Sequence, residues 1–141
     1  LGRITEFTDT GDGRYEIVLT GLCRFSVEHE LEIQNGYRRV AVNYNSFLKD
    51  LDPGDTEISN RTALIKTLQK YFQRQRLDAD WDTLNEVSDL ILVTTAAMGC
   101  PLNPEEKQLL LEASDLPSRA DRLQTILEMA LHTNNVTTLR H

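Results

Sequence analysis

DLDPGDTEISNRTALIKTLQKYF, the stretch from Asp50 to Phe72, decides the fold because the hydrophobic period changes inside it. Its opening, Asp50-Leu51-Asp52-Pro53-Gly54-Asp55, is turn-rich and reads as a surface connection. Its closing part carries Leu64, Ile65, Leu68, Tyr71 and Phe72 at i, i+1, i+4, i+7 and i+8, which is one face of a helix. Ser59 or Asn60 stands where a cap belongs, and Arg61, Lys66, Lys70 and Arg74 fall away from the apolar stripe.

Upstream of this stretch the period is two. Glu16-Ile17-Val18-Leu19-Thr20 is a β-branched, apolar run preceded by Asp9-Thr10-Gly11-Asp12-Gly13, whose glycines and aspartates suit a hairpin turn. Arg3 to Thr8 is then its antiparallel partner. A third run spans Leu22 to His29, with Cys23, Phe25 and Val27 alternating against Arg24, Ser26 and Glu28 on a wet face. A fourth, Tyr37 to Tyr44, follows Asn35-Gly36 and carries Val40 and Val42 on one face.

Downstream the period is helical. A second helix is expected from Asp80 through Leu90-Ile91-Leu92-Val93 to Met98, apolar on most sides and therefore central, ending at Gly99 and Pro101. A third starts at Asn103, with Pro104 at its first position and Glu106 completing a capping box, and buries Leu109, Leu110 and Ala113. A fourth runs from Ser118 with Leu123, Ile126, Leu127, Ala130 and Leu131 on one side. The expected class is α+β with segregated halves: residues 1–50 antiparallel β, 51–58 a connector, 59–132 a four-helix subdomain, and 133–141 a frayed polar tail.

Composition narrows the function. A 141-residue chain that is 40% hydrophobic and 26% charged has soluble-globular values. It holds no apolar run near the roughly 20 residues of a membrane-spanning helix, and its N-terminus has no signal-peptide pattern. The absence of an initiating Met suggests processing or excision from something longer. The net charge of −7 divides into −3 before Pro53–Gly54 and −4 from Asp55 onward, so neither half has a basic reserve for phosphate backbones. Cys23 and Cys100 read as reduced, partly buried thiols of a cytoplasmic protein, with a single bridge as the alternative.

Motifs for chemistry are missing. Lys49, Lys66, Lys70 and Lys107 are not preceded by glycine, so there is no phosphate-cradling loop. His29, His132 and His141 are scattered, and no C-x-x-C exists. Cys23 and His29, six residues apart on one strand, would lie roughly 20 Å apart. No G-x-S-x-G surrounds any serine. Asp78, Asp80, Asp82 and Glu86 fit a helix start, where the macrodipole favours negative charge, and Trp81 fits an anchor under a loop. Lys66, Lys70 and Arg74, with Arg76 nearby, form a basic stripe that reads as a solvated face or as a receiver for an acidic or phosphorylated partner. The expectation is no catalytic residue, no cofactor and no metal.

The order of signals resembles a known family. Leu1-Gly2-Arg3-Ile4-Thr5-Glu6-Phe7, Gly11-Asp12-Gly13-Arg14-Tyr15, Leu19-Thr20-Gly21-Leu22-Cys23-Arg24-Phe25 and Tyr37-Arg38-Arg39-Val40 are similar to the amino-terminal substrate-binding domain of Lon proteases. So are Leu77-Asp78-Ala79-Asp80-Trp81, Ser88-Asp89, the run Pro104 to Ala113, and Arg119 to Leu131. The likeness is greatest to stand-alone bacterial proteins carrying that domain only. It implies a PUA-like β-barrel packed on helices, and a role in holding protein substrates without the ATPase and peptidase of full Lon proteases. It also implies a start part-way through the barrel, leaving a sheet edge for helices or another chain to cover. Leu90-Ile91 stands where relatives carry acidic residues, which suggests an added partner.

The expected function is a non-catalytic, cytoplasmic module binding unfolded or extended polypeptide, by strand addition at a sheet edge or in an apolar groove. Candidate contacts are Phe7, Tyr15, Phe25, Tyr37 and Tyr44, residue types that otherwise belong in a core. Self-association through the edge is a further expectation. A PUA-like nucleic-acid module is the alternative, disfavoured by the acidic charge.

Overall fold

The computed structural model describes residues 1–52, 54 and 57–137; Pro53, Asp55 and Thr56 of the expected connector, and residues 138–141 of the expected tail including His141, lie outside the described residues. The chain divides into two compact units, Leu1–Gly54 and Asp55–His141. The first holds β1 (Gly2–Asp9), β2 (Tyr15–Gly21), β3 (Ser26–Gln34), β4 (Tyr37–Asn43) and a short 3-10 stretch, Asn45–Asp50. The second holds α1 (Arg61–Gln75), α2 (Trp81–Glu86), α3 (Asp89–Gly99), α4 (Pro104–Leu111) and α5 (Leu116–Thr137). The class is α+β. The strands pair as two separate antiparallel hairpins, β1–β2 and β3–β4, with no closed barrel among the described residues.

Both turns follow from their residues. In the first, Gly11 and Gly13 take φ of 75° and 84°, the Asp9 carboxylate accepts the Gly11 N–H at 2.8 Å, and Asp12 accepts the Arg14 N–H at 3.2 Å. The Arg14 guanidinium and the Thr10 hydroxyl hold the Asp12 carboxyl down at about 2. In the second, Asn35 and Gly36 both have positive φ, as a two-residue turn matched to strand twist requires.

The third strand begins later than its alternation suggests. Residues 22–25 are irregular and β3 starts at Ser26, so Cys23, Phe25 and Val27 do not share a strand face. The backbone groups there are engaged elsewhere. The Leu1 amine donates to the Cys23 carbonyl at 2.8 Å, and the Arg24 N–H donates to Asp50 Oδ2 at 2.9 Å. Arg24 is not on a wet face either. Its Nε and Nη2 grip the two Asp50 oxygens at 2.8 and 2.7 Å, and its guanidinium carbon lies 4.5 Å from the centre of the Phe47 ring. Cys23 and Phe47 are the buried apolar side chains of this unit among the described residues.

The helical unit has the larger core. Leu64, Leu68 and Tyr71 of α1 meet Leu92, Val93 and Ala96 of α3, Leu110 of α4, and Leu123, Ile126 and Leu127 of α5. Trp81 closes one side of this core, edge-on to Phe72 at 5.4 Å.

The single helix expected over Asp80 to Met98 is two helices. Asp80 caps α2 by accepting the Thr83 N–H, Val87 is extended, and Ser88 caps α3 through the Ile91 N–H. The break resets the helical phase, so Leu90, Ile91 and Met98 face outward while Leu92 and Val93 are fully buried. In α4 the capping box of Asn103 and Glu106 forms as expected, but Leu109 is exposed and Leu110 and Ala113 are buried. So short a helix offers its narrow buried side to a single leucine. Asp115 accepts the Ser118 N–H, so α5 starts at Leu116 with Pro117 in its first turn. Its backbone stays helical to Thr137, past the Thr133 at which fraying was expected.

One side chain joins three helix ends. Arg61, first residue of α1, sends Nη2 to the carbonyls of Leu84 (3.1 Å), Asn85 (2.9 Å) and Val87 (2.8 Å), satisfying the end of α2. Its Nη1 pairs with Asp89 in the first turn of α3, and Asp89 Oδ2 accepts the Ile58 N–H at 2.7 Å. Burial alone would raise the Asp89 carboxyl, but the Ile58 N–H and the Arg61 guanidinium outweigh it and hold it below its ordinary 3.8.

Replacing Arg61 by Met is expected to cost the helical unit roughly 2–3 kcal/mol in urea unfolding followed by circular dichroism, somewhat under the usual loss for breaking a buried pair. The discount reflects a side chain that is 26% exposed. A carboxyl lowered on folding contributes stability that is present above its unfolded value and lost as pH falls through its folded one. Stability of the helical unit therefore declines on acidification below about pH 4, and Asp89→Asn lowers it at neutral pH and flattens that acid limb. An unchanged acid limb in Asp89→Asn would refute the assignment.

Candidate polypeptide-binding surface

The β1–β2 hairpin is two-faced. Its register pairs Ile4 with Leu19, Phe7 with Ile17 and Asp9 with Tyr15, and directly opposite residues project to the same side of a sheet. In a regular strand Ile4 and Phe7, three apart, would lie on opposite faces. The register shifts between Ile4 and Glu6, which leaves Thr5 as the extra residue of a bulge and restores both to one side. Ile4, Phe7, Tyr15, Ile17 and Leu19 thus share a face, each 49–62% exposed. Glu6, Thr8, Glu16, Val18 and Thr20 occupy the other, where the Thr5 and Thr20 hydroxyls meet at 3.1 Å.

The aromatic candidates fall into three places. Phe7 and Tyr15 stack at 5.0 Å on the apolar face of the first hairpin. Phe25 and the half-buried Tyr44 make an edge contact at 6.2 Å where residues 22–25 meet the end of β4. Tyr37 stands apart at the start of β4, opposite Gln34 and exposed. Four of the five, Phe7, Tyr15, Phe25 and Tyr37, are therefore exposed rather than core, and Tyr44 is half-buried. Ile4, Ile17 and Leu19 belong to the same exposed face and were not singled out in the sequence. Tyr15, Ile17 and Leu19 do alternate legibly, whereas the bulge hides the Ile4–Phe7 relation. On the second hairpin Val27 faces Val42, and Glu30 faces Val40, so that surface is mixed.

The reactive groups are held inert. The Cys23 thiol donates to the Arg24 and Phe47 carbonyls, and burial pushes the Cys100 thiol up to about 11. Both thiols are free and buried. Asp80, lowered by the Thr83 hydroxyl and N–H, works as a helix cap. No group of three or more metal-ligating side chains converges among the described residues, and no described helix is long and apolar enough to cross a membrane.

The β1–β2 hairpin thus leaves a contiguous apolar side exposed. The family model described as the ATP-dependent protease La (LON) substrate-binding domain matches residues 1–129, and the chain belongs to that family. Family membership supports a substrate-binding role; the match is to the substrate-binding domain, and no peptidase or ATPase domain was found along the chain. No curated protein matches the sequence.

Ellman's reagent at about pH 8 is expected to find almost no thiol in the native protein and two per chain after denaturation, since the buried thiol stays protonated. Rapid native labelling of Cys100 would contradict the burial described.

Proposed function

We propose that this protein is a non-catalytic module that binds unfolded or extended polypeptide, with the apolar face of the β1–β2 hairpin as the receiving surface. The observation that carries the reading is that face: Ile4, Phe7, Tyr15, Ile17 and Leu19 lie exposed together on one side of a two-stranded sheet. A two-stranded hairpin is marginal in water by itself, so covering its apolar side is favourable. Contiguous exposed apolar surface of this kind marks interaction sites. The stacked Phe7–Tyr15 pair supplies a rigid aromatic anchor at low entropy cost, and the open strand edges offer backbone donors and acceptors to an added strand. Tyr37, Phe25 and Tyr44 are secondary contacts in the same reading. On the family resemblance the two hairpins are part of a PUA-like barrel in a bacterial cytoplasmic protein.

The test is fluorescence anisotropy of a rhodamine-labelled, disulfide-free unfolded polypeptide titrated with the full chain. Saturable binding is expected, weakened roughly tenfold by Phe7→Ser, a typical loss for an aromatic anchor. Thr8→Ala, on the opposite face, leaves it unchanged. Absence of saturable binding, or equal weakening by both variants, would sink the reading.

A further inference from the structure

A second site lies wholly within the helical unit. Thr67, Lys70 and Arg74 of α1 and Glu128, Leu131 and His132 of α5 line a half-open cleft of about 370 Å³. That volume falls in the range of about 300–1,000 Å³ occupied by small-ligand sites. Lys70 and Arg74, four residues apart, project from the same side of α1.

Among the described residues no carboxylate pairs with either charge. Ion pairs such as Arg14–Asp12, Arg24–Asp50, Arg38–Glu30 and Arg61–Asp89 form elsewhere, and neither Lys70 nor Arg74 takes part in one among the described residues. Arg74 Nη1 donates to the Leu131 carbonyl at 2.6 Å, which anchors the guanidinium at the cleft. Glu128 lines the same cleft but stays outside ion-pair distance of both cations, and its Oε1 accepts from Gln124 Nε2 at 2.8 Å. Thr67 is the buried polar side chain among the described residues, and it lines this cleft too. A chain of net charge −7 has carboxylates in excess, yet among the described residues none pairs with these cations in their concave place.

We propose that the cleft between α1 and α5 binds a carboxylate carried on a peptide. Lys70 and Arg74 receive the anion, Arg74 through its fork of N–H donors and Lys70 as a point charge. The Thr67 hydroxyl and the Glu128 carboxylate accept the peptide N–H groups that flank it. Glu128 repels a phosphate dianion more than it repels a singly charged carboxylate, which favours the latter. The carboxylate is a chain terminus or an Asp or Glu side chain, and the cleft admits one or two residues. This goes beyond polypeptide binding on the hairpin and stands independently of it.

Amide chemical shifts of the ¹⁵N-labelled full chain test the proposal with four probes: N-acetylated pentaalanine with a free carboxylate, its C-terminal amide, that amide with a central Glu, and inorganic phosphate. A carboxylate-bearing peptide is expected to shift residues 67–74 and 128–132 at millimolar concentration, the plain amide to leave them unmoved, and the two carboxylate arms to show which source is preferred. Lys70→Gln, an exposed change that spares the core, weakens binding about tenfold, as expected for one charge-assisted contact. Lys107→Gln, outside the cleft, leaves it intact. Equal shifts with the plain amide, a response to phosphate alone, indifference to Lys70→Gln, or no shifts with any probe would each overturn it.

Discussion

The helical unit depends on a guanidinium that has to satisfy backbone as well as charge. Arg61 takes the carbonyls that α2 leaves unpaired at its end and holds the carboxylate that opens α3, while Asp89 in turn accepts the Ile58 N–H. In a helix of six residues ending in extended Val87, the Val87 N–H reaches only the Thr83 carbonyl, and Arg61 takes the carbonyls that follow it. With that junction set, α3 enters in the phase that buries Leu92 and Val93, and α5 can lie along α1 with Leu123 and Leu127 between them. The cleft lined by Lys70 and Arg74 is a consequence of that packing, since it lies on the flank of the same α1–α5 contact.

The strand unit rests on a different economy. Its buried apolar side chains are Cys23 and Phe47, held by the Arg24–Asp50 clamp and the cation–aromatic contact over Phe47. Such a centre orders the linker between the hairpins and leaves the apolar face of the first one exposed. The bulge at Thr5 then matters out of proportion to its size. It gathers Ile4 and Phe7 onto the side of Tyr15, Ile17 and Leu19, turning a scattered set of apolar residues into one surface. The proposed polypeptide-binding role draws on that surface and on membership of the Lon substrate-binding domain family.

Much of this was legible in the residues, because local chemistry decides it. The Asn103–Glu106 capping box, the Asn35-Gly36 and Gly11/Gly13 turns, the α1 stripe of Leu64, Leu68 and Tyr71, and the change of period near Pro53 all depend on neighbours within a turn or two. What stayed hidden depends on distant partners. Arg24 looks like a solvent-facing residue until Asp50 is placed beside it, and Ser88 is one serine among six until Val87 is seen extended. Leu109 fits a buried stripe as well as Leu110 does, and only the seating of α4 separates them. The basic stripe of Lys66, Lys70 and Arg74 was visible, but the cleft that sets Lys70 and Arg74 apart from Lys66 needs α5. Tyr15, Ile17 and Leu19 alternate legibly, while a one-residue bulge conceals that Ile4 shares a side with Phe7.

Hydrogen–deuterium exchange on the full chain, with and without a saturating unfolded polypeptide, tests the central claim most directly. Slower exchange over residues 2–21 on adding the polypeptide, with the helical core unchanged, is the result this account requires. Exchange in that hairpin that stays the same while the polypeptide binds would contradict it.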